Sequence, residues 1–169
     1  VLHLKRAGAQ IVLTYFARAL AEGSGLSLDG RPTAYRPPLY PLLLAPILGV
    51  LGPRSDWGIA LLHLALGAAT IMATAFTARS WRLNCRRVLI AATIVACDPV
   101  LVAQARSVMT ETLAAFLTSV TLAALVVPGR VGLILTGLTM GGSVLCRPSA
   151  WPGVILIAIA RILHEHSQT

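Results

Sequence analysis

The sequence predicts an all-α fold, a polytopic transmembrane helix bundle with juxtamembrane helices on its outer face. Three observations lead there. Of 169 residues, 56% are hydrophobic and only 12% charged, with a mean hydropathy of +0.78; soluble domains carry about 25% charged residues. From Leu39 onward the apolar residues gather in long runs separated by short links rich in Arg, Pro and Gly. A proline-rich border, residues 32–46, divides this apolar remainder from a polar N-terminal part.

Residues 1–56 read as an outer-face loop carrying two juxtamembrane helices, about 10–22 and 39–51. In the first, Tyr15, Phe16, Ala19 and Leu20 recur at helical spacing, and Gly23-Ser24-Gly25 ends the run. Such a helix lies either on a membrane surface or on the surface of a loop. Tyr35 and Arg36 stand at the border. Pro37, Pro38 and Pro41 stiffen it, because each fixes φ and lacks an N–H. Leu39–Leu51 is apolar but too short to cross a bilayer, which takes about 20 residues.

Residues 57–163 read as a bundle of five spans at about 57–78, 88–105, 108–127, 131–146 and 148–163, and 164–169 as a cytoplasmic tail. The link Arg79–Arg87 carries four arginines and no acid, and short basic loops face the cytoplasm. That orientation puts Glu22, Asp29, Asp56, Asp98 and Glu111 on the outer side or in the outer half of the membrane. The chain starts with Val rather than Met and reads as a piece of a longer protein.

The net charge is +8, yet the basic residues sit between apolar runs and only 5% of residues are aromatic. This suits lipid phosphates and topology rather than nucleic acid. Cys85, Cys97 and Cys146 form no C-x-x-C pair, so no zinc or redox motif is present; a divalent metal remains possible without a motif to hold it.

Four features could carry chemistry. Glu111 opens an apolar run, either as a helix-capping acid or as a carboxylate at the membrane edge, where desolvation suits it to act as a base. Asp98 precedes Pro99 within a span. It is either functional, as buried acids in membranes tend to be, or a cap or ion-pair partner for Arg106. Arg36, Arg106 and Arg147 each stand near the outer end of an apolar run, where arginine binds phosphate with a planar fork of donors or anchors lipid headgroups. Gly137-x-x-x-Gly141-Gly142 reads as close helix packing, and His63, alone in a span, as hydrogen-bonded to a neighbouring helix.

Taken in order, Tyr15…Gly23-x-Gly25, Pro32-Thr33-Ala34-Tyr35-Arg36-Pro37-Pro38-Leu39-Tyr40-Pro41, Asp98-Pro99, Met109-Thr110-Glu111 and Cys146-Arg147-Pro148-Ser149 resemble the N-terminal half of the GT-C membrane glycosyltransferases. Within these, the chain is most similar to the family of protein O-mannosyltransferases and lipid A aminoarabinose transferases. The resemblance implies transfer of a sugar from a polyprenyl-phosphate donor to an acceptor at the outer face of the plasma (inner) membrane. It implies Glu111 as a catalytic acid position, Arg36 near the lipid phosphate and Arg147 at a basic position of an outer helix end; Arg106 joins them as a phosphate-binding candidate from its own place at the end of an apolar run, and Asp98, Tyr35 and Tyr15 are further candidates. Ile11 and Val12 stand where the family has its first acid. The alternatives are a non-catalytic relative that assembles with other membrane proteins, or a transporter in which Asp98 and Glu111 line an ion path.

Overall fold

The computed structural model describes residues 13–25, 27–28, 31–32, 37–105 and 108–166. The regular structure among the described residues is helical apart from one short antiparallel ladder. In it β1 (Ser27–Leu28) pairs with β2 (Arg31–Pro32) in the register Ser27↔Pro32 and Leu28↔Arg31.

The first helix, α1, covers residues 13–21. Its buried stripe is Leu13, Phe16, Ala17 and Ala19, while Tyr15 is 43% exposed. The stripe therefore lies one position away from the one expected through Tyr15. The small Ala17 lets the backbone approach its neighbours, and the bulkier tyrosine turns outward. The Ser24 N–H donates to the Ala19 carbonyl (2.9 Å) and the Gly23 N–H to the Leu20 carbonyl (3.1 Å). This is a Schellman end. It needs a left-handed residue at Gly23, whose φ is +78°.

Helix α2 is Leu39–Leu51, as the sequence predicts. Pro41 is tolerated in the first turn, where its missing N–H costs nothing. Tyr40, Leu44 and Leu48 are buried at four-residue spacing, while Pro46 faces outward. A short 3-10 turn, Gly52–Arg54, leads into α3, Ser55–Ser80. At 26 residues, α3 is about 39 Å long. The hydroxyls of Thr70, Thr74, Thr77 and Ser80 each donate to the carbonyl four residues back, so the helix carries polar side chains without orphaning them.

The expected single span over 88–105 is two helices, α4 (Cys85–Ala96) and α5 (Pro99–Ala105). The break falls at Cys97–Asp98 because Pro99 has no N–H to continue the ladder and Asp98 caps the new helix. Helix α6 is Glu111–Leu125, shorter than the expected 108–127. Helix α7 is Gly129–Cys146. A 3-10 turn, Pro148–Ala150, precedes α8, Trp151–His166, which runs past the expected boundary at 163.

Two helices, α3 and α7, are long and apolar enough to cross a membrane. Only 22% and 28% of their most apolar windows are buried inside the protein. Leu61, Leu64, Met72 and Phe76 of α3 and Ile134 and Leu138 of α7 are all exposed. The other expected spans form shorter helices, and the one at 88–105 is broken ahead of Pro99.

Helix α6 packs against both α3 and α7, and α3 also against α2, α4 and α5. The core gathers at one end of this assembly. There Leu13 and Ala17 of α1 and Tyr40, Leu44 and Leu48 of α2 meet Ile59 and Leu66 of α3, Leu113 and Leu117 of α6, and Cys146 of α7. The starts of α3 and α6 and the end of α7 thus share one end, covered by the two non-spanning helices. The Arg79–Arg87 link lies at the far end of α3. Of the glycine stripe expected to pack, only Gly142 sits against α6, where an added Cβ would meet Leu117 at 3.4 Å. Gly137 and Gly141 are exposed.

Candidate functional site

The covered end of the assembly holds a polar cluster inside an apolar shell. Tyr40 is fully buried and His63 is 3% exposed. The phenol oxygen and His63 Nε2 share a hydrogen bond of 2.6 Å that ties α2 to α3. The pair forms because Tyr40 shares the α2 stripe with Leu44 and Leu48, while His63 occupies the α3 stripe between Ile59 and Leu66. His63 thus finds its partner on a neighbouring helix, as expected.

Glu111 is the first residue of α6. The Thr110 carbonyl ahead of it accepts the first helical bond, from the Ala114 N–H (2.9 Å). The same carbonyl accepts a long hydrogen bond from the Cys146 thiol (3.6 Å), which pins the end of α7 to the start of α6. Glu111 Oε2 is buried and has no hydrogen-bond partner among the described residues. It does not act as a side-chain cap there. Its position in the first turn places the carboxylate in the favourable field of the helix N-terminus.

Three elements converge on this carboxylate. Burial pushes the Tyr40 phenol well above its usual range, and its nearness to Cys146 and to the Glu111 carboxylate acts in the same direction. Glu111 and Arg147 both lie within electrostatic reach of Cys146. The structure therefore brings together Glu111, Tyr40, Cys146 and Arg147, from α6, α2 and the end of α7. Arg147 is exposed and ends α7 in an extended conformation, at the rim of the cluster.

The remaining candidates divide. Asp98 Oδ1 accepts from the N–H groups of Val100 (2.8 Å) and Leu101 (3.0 Å). It is the cap of α5, the second of the two readings its sequence context allowed. Tyr15 is exposed on α1, its ring edge-on to Phe16 with centroids 6.4 Å apart. Tyr35, Arg36 and Arg106 lie outside the described residues, as do Ile11, Val12 and Asp29.

Sequence reasoning missed Tyr40 as a member of the site. A signal for Tyr40 existed: a phenol at four-residue spacing with two leucines, on a chain with one histidine in an apolar run. No group of three His, Cys, Asp or Glu that could hold a metal occurs among the described residues.

The cluster offers a carboxylate oxygen available to accept a hydrogen bond, a neutral phenol beside it and a cation at the rim. Such a set can draw a proton from a hydroxyl and steady an anion. Compared with protein-family models, curated proteins and solved structures, the chain matches none.

Proposed function

We propose that the chain forms part of an integral membrane glycosyltransferase that moves a sugar from a polyprenyl-phosphate donor to an acceptor at the outer face. The observation that carries this reading is the buried Oε2 of Glu111, without a hydrogen-bond partner among the described residues, at the end of the bundle covered by α1 and α2. A buried acceptor left unpaired is costly, and an incoming acceptor hydroxyl supplies the missing hydrogen bond. The arrangement of motifs along the sequence supports the same reading, and so do the two apolar helices with their largely exposed surfaces.

In the proposed mechanism Glu111 takes the proton of the acceptor hydroxyl as its oxygen attacks the anomeric carbon. A new glycosidic C–O bond forms. The bond between the anomeric carbon and the phosphate oxygen breaks, and its electron pair leaves with the polyprenyl phosphate. Arg147, with Arg36 by resemblance and Arg106 by its place at the end of an apolar run, stabilises that charge. The bundle of apolar helices lies in the plasma (inner) membrane with this end outward.

The test is transfer by the full-length protein from a synthetic polyprenyl-phosphate sugar. Glu111→Gln lowers the rate by about 10²–10⁴-fold, the usual worth of a general base, while the thermal midpoint stays near that of the parent. A wild-type rate in Glu111→Gln overturns the reading. Ile11 and Val12, at the positions of the family's first acid, favour a second reading as a non-catalytic relative. That reading gives donor binding with no transfer even in the parent protein.

A further inference from the structure

The end of the bundle away from Glu111 carries a different feature, the turn that joins α3 to α4. Arg79, Arg82, Arg86 and Arg87 are all exposed there, and the sequence has no acid between Asp56 and Asp98. The turn is capped on both sides. The Arg82 N–H donates to the Arg79 carbonyl (2.9 Å) and the Leu83 N–H to the Ala78 carbonyl (3.3 Å), a Schellman end to α3. The Asn84 side chain then accepts from the Arg87 N–H (3.0 Å) and caps α4.

Three of the four arginines stand where local stability favours another residue. Arg82 holds the left-handed position of the Schellman end, with φ +56°, the only non-glycine with a positive φ among the described residues. Glycine or asparagine takes that conformation at lower cost. Arg86 and Arg87 lie in the first turn of α4, which has no acid, and there the positive end of the helix dipole opposes cations. An anion held against the turn offsets this concentration of positive charge.

The surroundings narrow the choice of anion. Trp81, within the turn, is 66% exposed. Met72 and Phe76 of α3 and Leu89 and Ile90 of α4 are exposed on the apolar helices that lead into it, and α4 has no buried residue. Tryptophan and arginine bordering exposed apolar surface is the pattern of a membrane interface. The partner that fits offers negative charge next to hydrocarbon. An anionic phospholipid supplies both, whereas a nucleic acid or an acidic peptide supplies only the charge. At 26 residues, α3 is about 39 Å long, enough to set this turn at the opposite bilayer face from Glu111.

We infer that the Arg79–Arg87 turn binds an anionic phospholipid in the leaflet opposite the candidate site, with the four arginines on its headgroup phosphate and its chains beside α3 and α4. The inference is independent of the glycosyltransferase reading, since it involves neither Glu111 nor a sugar donor.

The experiment uses the full chain in lipid nanodiscs with Trp57→Phe and Trp151→Phe, two exposed positions, so that Trp81 is the one tryptophan left. At equal mole fraction, brominated phosphatidylglycerol quenches Trp81 emission more than brominated phosphatidylcholine does. Arg82→Asn lowers that lipid preference about fivefold, the worth of one arginine near a membrane surface, while the thermal midpoint holds or rises because asparagine suits the left-handed position. The double variant Arg86→Gln/Arg87→Gln lowers the preference further without touching that position. Equal quenching by the two lipids in the parent overturns the inference. So does a preference unchanged in both variants, or displacement of the brominated phosphatidylglycerol by soluble polyglutamate, which assigns the turn to an acidic protein.

Discussion

The Tyr40 phenol and the His63 imidazole, 23 residues apart in sequence, meet at 2.6 Å and join a non-spanning helix to an apolar one long enough to cross a membrane. Both side chains are almost wholly buried. Removing one partner leaves the other short of a hydrogen bond in a low-dielectric setting, at a cost of about 1–3 kcal/mol. Tyr40→Phe and His63→Leu are each expected to destabilise by that amount. The double variant loses less than the sum, with a coupling of about 0.5–3 kcal/mol. Denaturant or thermal unfolding in detergent measures the cycle; strict additivity would show that the contact carries no coupling.

The same phenol makes stability depend on alkaline pH. Burial holds the Tyr40 pKa above its ordinary value near 10. A pKa raised in the folded state means that folding favours the protonated form. The contribution is therefore complete below about pH 10 and is lost as pH rises from there through the folded-state value. The thermal midpoint is expected to fall above pH 10 in the parent and to fall less in Tyr40→Phe. Parallel pH curves for the two proteins would remove Tyr40 as the source.

Asp98 is expected to behave as a cap rather than as a reactive acid. Its side chain already accepts two backbone N–H groups at the start of α5. Asp98→Ala costs about 1 kcal/mol, and Asp98→Asn, which keeps an accepting oxygen, costs less. If Asp98 worked as a charge, Asn would be as damaging as Ala to transfer or to ion flux. Measuring stability and activity for both variants separates the two roles.

Gly132 stands where α7 leaves its opening turn. A Cβ there would overlap the Val127 carbonyl oxygen and press on the Ala124 carbonyl at 3.2 Å. Because both contacts are backbone, the strain is not relieved by a rotamer change. Gly132→Ala is expected to lower stability by about 1–3 kcal/mol despite alanine's better helix propensity. Gly137→Ala, on the exposed face of the same helix with no neighbour within 4 Å, is expected to be neutral or stabilising. A melting comparison of the two variants decides it.

The helical class, the two non-spanning helices, the bounds of α2 and the long apolar α3 were legible in the sequence. Each follows from local quantities: the length of an apolar run, the spacing of its residues, and the placement of proline and glycine. Those quantities act within a few turns of chain and need no partner. The helix break at Asp98 was half legible, since Pro99 announced it, but only the capping bonds decided that the acid serves the backbone. The turning outward of Tyr15 and of Gly137 was not legible, because helical periodicity defines stripes without saying which one meets a neighbour. The candidate site belonged almost wholly to the tertiary structure. Glu111 was visible as an acid at the head of an apolar run. Its association with Tyr40, Cys146 and Arg147 arises from three segments brought to one end by the antiparallel return of the helices, and burial there is a property of the packing, not of any one segment.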